Sequence, residues 1–144
     1  MNILFLTTSH NSLSQRLYVE LRENNNVTVK IAKNKEQMLE DFIQINPDLV
    51  ICPMLKISIP KEIWTNRICL IVHPGIPGDR GPSSLDWAIF RNESIWGVTL
   101  IQAAEEMDAG DIWSFKLFKM RSASKSSLYR LEVTEAAVFC VLDA

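Results

Sequence analysis

The apolar positions change period several times along the chain, and those changes predict its elements. Asn2–Thr7 holds the nearly continuous apolar run Ile3-Leu4-Phe5-Leu6, the pattern of a strand buried on both sides. Polar Thr8, Ser9, His10 and Asn11 interrupt it. Leu13, Leu17, Tyr18 and Leu21 then recur on one helical face, and Asn24-Asn25-Asn26 ends that helix. Val27 to Ala32 alternates like a strand. Asn34 stands at a helix cap with Gln37 at capping-box distance, and Met38, Leu39, Phe42 and Ile45 mark the buried side of the helix that follows. Asp48 to Cys52 and Ile68 to Val72 are the third and fourth β-rich runs. Strand alternating with helix predicts an α/β fold, an open and mostly parallel sheet with helices on both faces.

After the fourth strand the pattern breaks. His73-Pro74-Gly75-Ile76-Pro77-Gly78-Asp79-Arg80-Gly81-Pro82 contains three of the five glycines and three of the six prolines, so its path is set by backbone restriction rather than by packing. Ser83 is placed to cap a short helix with Leu85, Ala88 and Ile89. Gly97 to Gln102 and Ile112 to Met120 read as two more strands around an acidic loop, Glu105 to Asp111. Ser124 is placed to cap a last helix with Leu128, Leu131, Val138 and Leu142 on one stripe. That helix is still apolar at Phe139, Val141 and Leu142, the pattern either of a piece of a longer protein or of a terminal helix docked on the sheet. Most Trp and Phe residues fall on strands and helices and are expected in the core.

Composition narrows the picture. A length of 144 residues suits one domain, 1–144, and 47% apolar with 22% charged residues excludes disorder and fibrous proteins. A net charge of −2 gives no basic patch for nucleic acid, and no apolar run reaches the roughly 18–20 residues that span a bilayer. Cys52, Cys69 and Cys140 are scattered without C-x-x-C spacing, which argues against a disulfide framework or a structural zinc. A soluble cytoplasmic domain with buried thiols is expected.

In open α/β sheets ligands gather at the carboxyl ends of strands. Thr8–Asn11, Pro53–Ser58 and His73–Arg80 occupy such places, and both histidines of the chain, His10 and His73, lie there. A histidine in that position can serve as acid or base near neutral pH, or be an ordinary loop residue; the rigid loop after His73 favours function for it. Asp108, in Met107-Asp108-Ala109-Gly110-Asp111, reaches His73 if the last strands lie beside the fourth; an ordinary D-x-G turn is the equal alternative. Arg80 suits a carboxylate or phosphate, or pairs with Asp79 to brace the loop. Gln15 and Arg16 lie in the first helical turn, although Ser12 to Gln15 also has capping-box spacing. No G-x-G-x-x-G, P-loop or G-x-S-x-G pattern occurs.

His73-Pro74-Gly75, then Arg80-Gly81, Asp86-Trp87-Ala88-Ile89, Gly97-Val98-Thr99 and Met107 to Asp111 follow one another in an order and spacing that resembles the folate-dependent formyltransferases. Within that superfamily, His73 to Ile76, Asp79 to Ala88 and Ala123 to Arg130 look closest to the branch that serves hydrogenase maturation. The resemblance implies a Rossmann-like formyltransferase fold with His73 and Asp108 as catalytic residues and a pterin-binding backbone on Met54, Leu55, Lys56, Ile57, Ser58 and Ile59. It also implies 10-formyltetrahydrofolate as donor, coenzyme A as acceptor, and a second, crotonase-like domain outside these residues. That domain would release carbon monoxide for a nickel–iron hydrogenase, with hydrogenase maturation proteins as further partners. One departure stands out: where the family has an asparagine two residues before the histidine, this chain has Ile71, which cannot donate to a developing oxyanion.

Overall fold

The computed structural model describes residues Met1–Ala144. Its strands are β1 (Asn2–Thr7), β2 (Asn26–Ile31), β3 (Leu49–Cys52), β4 (Ile68–His73), β5 (Ile95–Gln102) and β6 (Ile112–Lys119). They form one sheet in the order β2-β1-β3-β4-β5-β6. The first four are parallel, whereas β5 runs antiparallel to both β4 and β6. The helices are α1 (Ser12–Leu21), α2 (Lys35–Ile45), α3 (Lys61–Trp64), α4 (Ser84–Phe90), α5 (Lys125–Leu128) and α6 (Thr134–Asp143), with a π-helical turn at Tyr129–Val133 joining the last two. This is the predicted Rossmann-like α/β architecture.

Alternation along the strands makes two cores. Ile3 and Phe5 of β1, Leu70 and Val72 of β4, and Trp96, Val98 and Leu100 of β5 face α1, α4 and α6. Leu4, Leu6, Val50, Cys52 and Cys69 face Met38 and Phe42 of α2 and Ile63 of α3. The four-residue α3 has too few turns to produce a readable stripe, so the pattern does not reveal it.

Four local expectations are corrected. The box that opens α1 is built by Asn11 and Ser14, one residue before the Ser12–Gln15 pair: Ser14 N–H donates to Asn11 Oδ1 at 2.8 Å and Asn11 N–H to Ser14 Oγ at 3.0 Å. At α2 Asn34 accepts from Gln37 N–H without a return bond from the Gln37 side chain. Ser83 precedes α4 in the left-handed region, φ 62°, and its side chain makes no capping bond. The last helix does not keep one stripe. Its π turn shifts the phase, so Leu128 and Val138 are buried while Leu131 and Leu142 are each 54% exposed.

The aromatic expectation also fails in part. Ser114 of β6 donates to the Cys140 carbonyl of α6 at 2.7 Å, and Lys116 lies over the Phe139 ring. The alternate side chains Phe115 and Leu117 therefore point to the other face, which no helix covers at this edge; they and Trp113 are exposed. Trp87 and Phe90 of α4 are exposed as well. A period-2 pattern reveals that a strand has two faces, but not which neighbours arrive to cover them.

Candidate active site

β4 delivers His73 at its carboxyl end, 3% exposed, and the following loop is pinned at almost every step. Trp96 Nε1 donates to the Pro74 carbonyl at 3.0 Å and Thr99 Oγ1 to the Gly75 carbonyl at 2.7 Å. Ile76-Pro77-Gly78-Asp79 closes a turn, Asp79 N–H donating to the Ile76 carbonyl at 3.0 Å. Proline second and glycine third, with Gly78 at φ 92°, is the chemistry of a type II turn. The turn sets the Asp79 carboxylate 2.9 Å from His73 Nε2. Asp79 therefore does not brace Arg80, which lies 3.7 Å from Glu106 at the surface.

Asp108 approaches from the β5–β6 connection. Its Oδ2 lies 3.4 Å from His73 Nδ1 and accepts from Gly81 N–H at 3.0 Å, so one carboxylate joins the histidine to the loop. The two sequence readings of Asp108 hold together. Asp108 adopts the left-handed conformation of a turn, φ 54°, and that turn aims its side chain at His73. Gly110 lets the turn close, because a Cβ there would collide with the Gln102 carbonyl. Ser84 Oγ, at the start of α4, lies 3.5 Å from Nε2 and 3.2 Å from the Gly81 carbonyl. Ile71 is partly buried on β4, two residues before His73, packs into the core beneath α2 and supplies no polar group to the site.

The segment Met54–Ile59 follows β3, the neighbour of β4. Its first residues are stitched to the end of β1: Thr8 N–H and Thr7 Oγ1 donate to the Met54 carbonyl at 2.7 and 3.0 Å, and Lys56 N–H donates to Thr8 Oγ1 at 2.8 Å. Leu55, Ile57 and Ile59 pack on the core beneath α2. Their backbone groups, with those of Ser58, make no hydrogen bond elsewhere in the chain and are free for a ligand.

Beside this segment Asn11 Nδ2 donates to the Met54 sulfur and to the Tyr129 hydroxyl, the latter at 3.1 Å. These residues line a cleft of about 450 Å³ with Ser12, Lys125, Ser126 and Arg130. Burial pushes the Tyr129 phenol up from its ordinary value, against a smaller opposing effect of the Asn11 hydrogen bond. A larger concavity, about 610 Å³, includes His10 and Gln15 but lies over α1 and β2, with β1 and β3 between it and β4. Arg16 is engaged by Glu20 and Glu135, each at 2.9 Å, and is not free for a ligand.

The structure thus brings His73 and Asp108 together, sets Met54–Ile59 at the adjacent strand end, and leaves His10 outside. Sequence reasoning underrated Asp79, although the Ile-Pro-Gly preceding it signals the turn that aims it.

A family model described as formyl transferase matches residues 12–130. The chain is 52% identical over 145 aligned positions to the hydrogenase maturation factor HoxX of Bradyrhizobium diazoefficiens, covering 100% of this chain and 26% of that protein. The structure of HypX from Aquifex aeolicus in complex with tetrahydrofolic acid is 54% identical, with a TM-score of 0.96 over 98% of this chain and 25% of that one. Phosphoribosylglycinamide formyltransferase from Bacillus halodurans, 12% identical with a TM-score of 0.76 over 96% of this chain, shares the fold. The chain spans about a quarter of the length of the HoxX and HypX relatives. With a family match over most of its length and a buried His73–Asp108 pair at the strand ends, the chain belongs to the formyl transferase family.

Proposed function

We propose that the chain transfers the formyl group of 10-formyltetrahydrofolate to the thiol of coenzyme A. Residues 1–144 are then the formyltransferase-like unit of a longer cytoplasmic protein. A crotonase-like domain follows, and the product leads to the carbon monoxide ligand of a nickel–iron hydrogenase. The observation that carries the reading is the His73–Asp108 pair, buried at the end of β4 beside a stretch of unpaired backbone. The relatives named above, one a hydrogenase maturation factor and one bound to tetrahydrofolic acid, supply the donor class and the setting.

In this mechanism the pterin lies against Met54–Ile59 and bonds the free N–H and C=O groups of Leu55, Ile57, Ser58 and Ile59. The thiol sulfur bonds to the formyl carbon, the oxygen takes the negative charge, and the carbon–N10 bond then breaks. The thiol proton leaves by way of the site and a proton reaches N10, so the two sides balance. His73 donates to the oxyanion and moves the proton; Asp108 fixes the ring through Nδ1. With Ile71 in place of an amide, oxyanion stabilisation rests on His73 and backbone N–H groups.

Ile71 also favours a second reading, a module that binds folate or a partner without transferring anything; hydrolysis of formyl-folate, with water replacing the thiol, is the related enzymatic alternative. Heat denaturation with 5-formyltetrahydrofolate tests the shared part. A ligand at 100 times its Kd stabilises by about 2.7 kcal/mol, and an unchanged melting temperature at high ligand refutes a folate site. Deformylation with and without coenzyme A then separates transfer, hydrolysis and binding alone.

A further inference from the structure

Asp108 is not the sole carboxylate on His73. Asp79 Oδ2 stands 2.9 Å from Nε2, closer than Asp108 stands to Nδ1. Three features indicate that the contact is built for the histidine rather than for the loop.

The loop is already braced without Asp79, by Trp96 on the Pro74 carbonyl, Thr99 on the Gly75 carbonyl, and Asp108 and Ser84 on Gly81. The Asp79 side chain has no other hydrogen-bond partner, and its neighbour Arg80 turns to Glu106. Lastly, a Cβ on Gly75 would stand 2.5 Å from both His73 Nε2 and Asp79 Oδ2, so glycine is the residue that lets the pair meet. The Asp79 side chain is 21% exposed and that of Asp108 8%, so the Nε2 edge is the side of the ring nearer to solvent.

We propose that Asp79 is a positioning residue for formyl transfer: it holds His73 from Nε2 before the donor binds and gives up that contact to the formyl oxygen, while Asp108 holds Nδ1. The resting ring is thereby fixed from both sides. Asp79 acts through His73 and not through affinity for the donor. The inference rests on the transfer reading above.

The test is deformylation of 10-formyltetrahydrofolate by the chain in the presence of coenzyme A, with Asp79→Asn, Asp79→Ala and Asp79→Glu beside the unsubstituted protein. Melting temperatures are measured on the same samples. The expected result is a kcat lowered by about 10- to 100-fold in Asp79→Ala and Asp79→Asn, with KM for the donor changed less than about threefold. Asp79→Glu, which keeps the charge, recovers part of the loss, and Asp79→Asn melts like the unsubstituted chain. Unchanged kcat in both Asn and Ala variants overturns the inference and leaves the transfer reading standing. So does a loss expressed as raised KM, or one that simply follows a lowered melting temperature. An unsubstituted chain that does not deformylate the donor overturns the transfer reading, and the inference with it.

Discussion

His10 and His73 stand at the ends of two parallel strands of one sheet, each followed by a loop and then a helix. His10 is exposed, and its side chain makes no hydrogen bond within the chain. His73 is buried, with a carboxylate at each ring nitrogen and a serine hydroxyl at 3.5 Å. The difference lies in what surrounds each strand end. β1 ends beside Met54 and the α1 cap, where the backbone demands are met by Thr7, Thr8 and Asn11. β4 ends against antiparallel β5, whose connection to β6 brings Asp108 back over it, while the Pro-Gly loop brings Asp79. A strand end becomes a chemical site when separate segments converge on it.

The largest effect should come from breaking the well-surrounded histidine. His73→Ala is expected to lower turnover of 10-formyltetrahydrofolate by about 10²–10⁴-fold while leaving affinity for the folate nearly unchanged; a chain that still turns over refutes the role. Gly75→Ala attacks the same contact through packing. The added methyl must displace His73 or Asp79, for a stability loss of about 1–3 kcal/mol in denaturant titration together with a fall in activity. Ser114→Ala, on the helix-covered face of β6 and far from the histidine in sequence, should cost about 1 kcal/mol for the lost bond to the Cys140 carbonyl, with the active site intact. The matching change His10→Ala should shift stability by less than about 0.5 kcal/mol, since its side chain is exposed and makes no hydrogen bond. A loss of turnover in His10→Ala as large as that in His73→Ala would remove the contrast between the two strand ends.

A pH series sharpens the comparison from the core side. The Cys52 thiol is held well above its ordinary value, first by its hydrogen bond with Cys69 and then by burial, and burial likewise raises Cys140. Thiols that favour the neutral form in the native state contribute stability that is fully present below their unfolded value, about pH 8.5. That contribution is lost as the pH rises through the higher folded values. Stability should therefore decline above about pH 8.5, and thiol reagents at neutral pH should label the native chain far more slowly than the unfolded one.

Much of the scaffold was legible along the chain, because a buried strand and an amphipathic helix each impose a local period. β1, β3 and β4 are short apolar runs, and α1 and α2 have clear stripes between polar caps. The candidate site was legible as far as His73, whose Pro-Gly loop marks it out; at Asp108 the D-x-G pattern fitted an ordinary turn equally well, and only the resemblance to the formyltransferases pointed it at His73. The bare apolar face of β6 was not legible. Phe115 and Leu117 have the same pattern as core residues, and only the absence of a helix above them leaves them exposed. The last helix departs from its sequence stripe for a related reason: a single wide turn at Tyr129–Val133 rotates everything beyond it, and no residue type announces such a turn.

Local patterning alone dictates the alternation of strand and helix, the restricted Pro-Gly loop after His73, the absence of an amide at Ile71 and the presence of a histidine at a strand end. Each follows from neighbours along the chain: spacing, proline, glycine and side-chain chemistry. Only the tertiary structure decided that Asp79 and Asp108, 29 positions apart, meet on opposite nitrogens of one ring and that His10 has no such company. Those contacts depend on the order of strands in the sheet and on the antiparallel return of β5. Long-range pairing of that kind leaves no local period for a sequence to display.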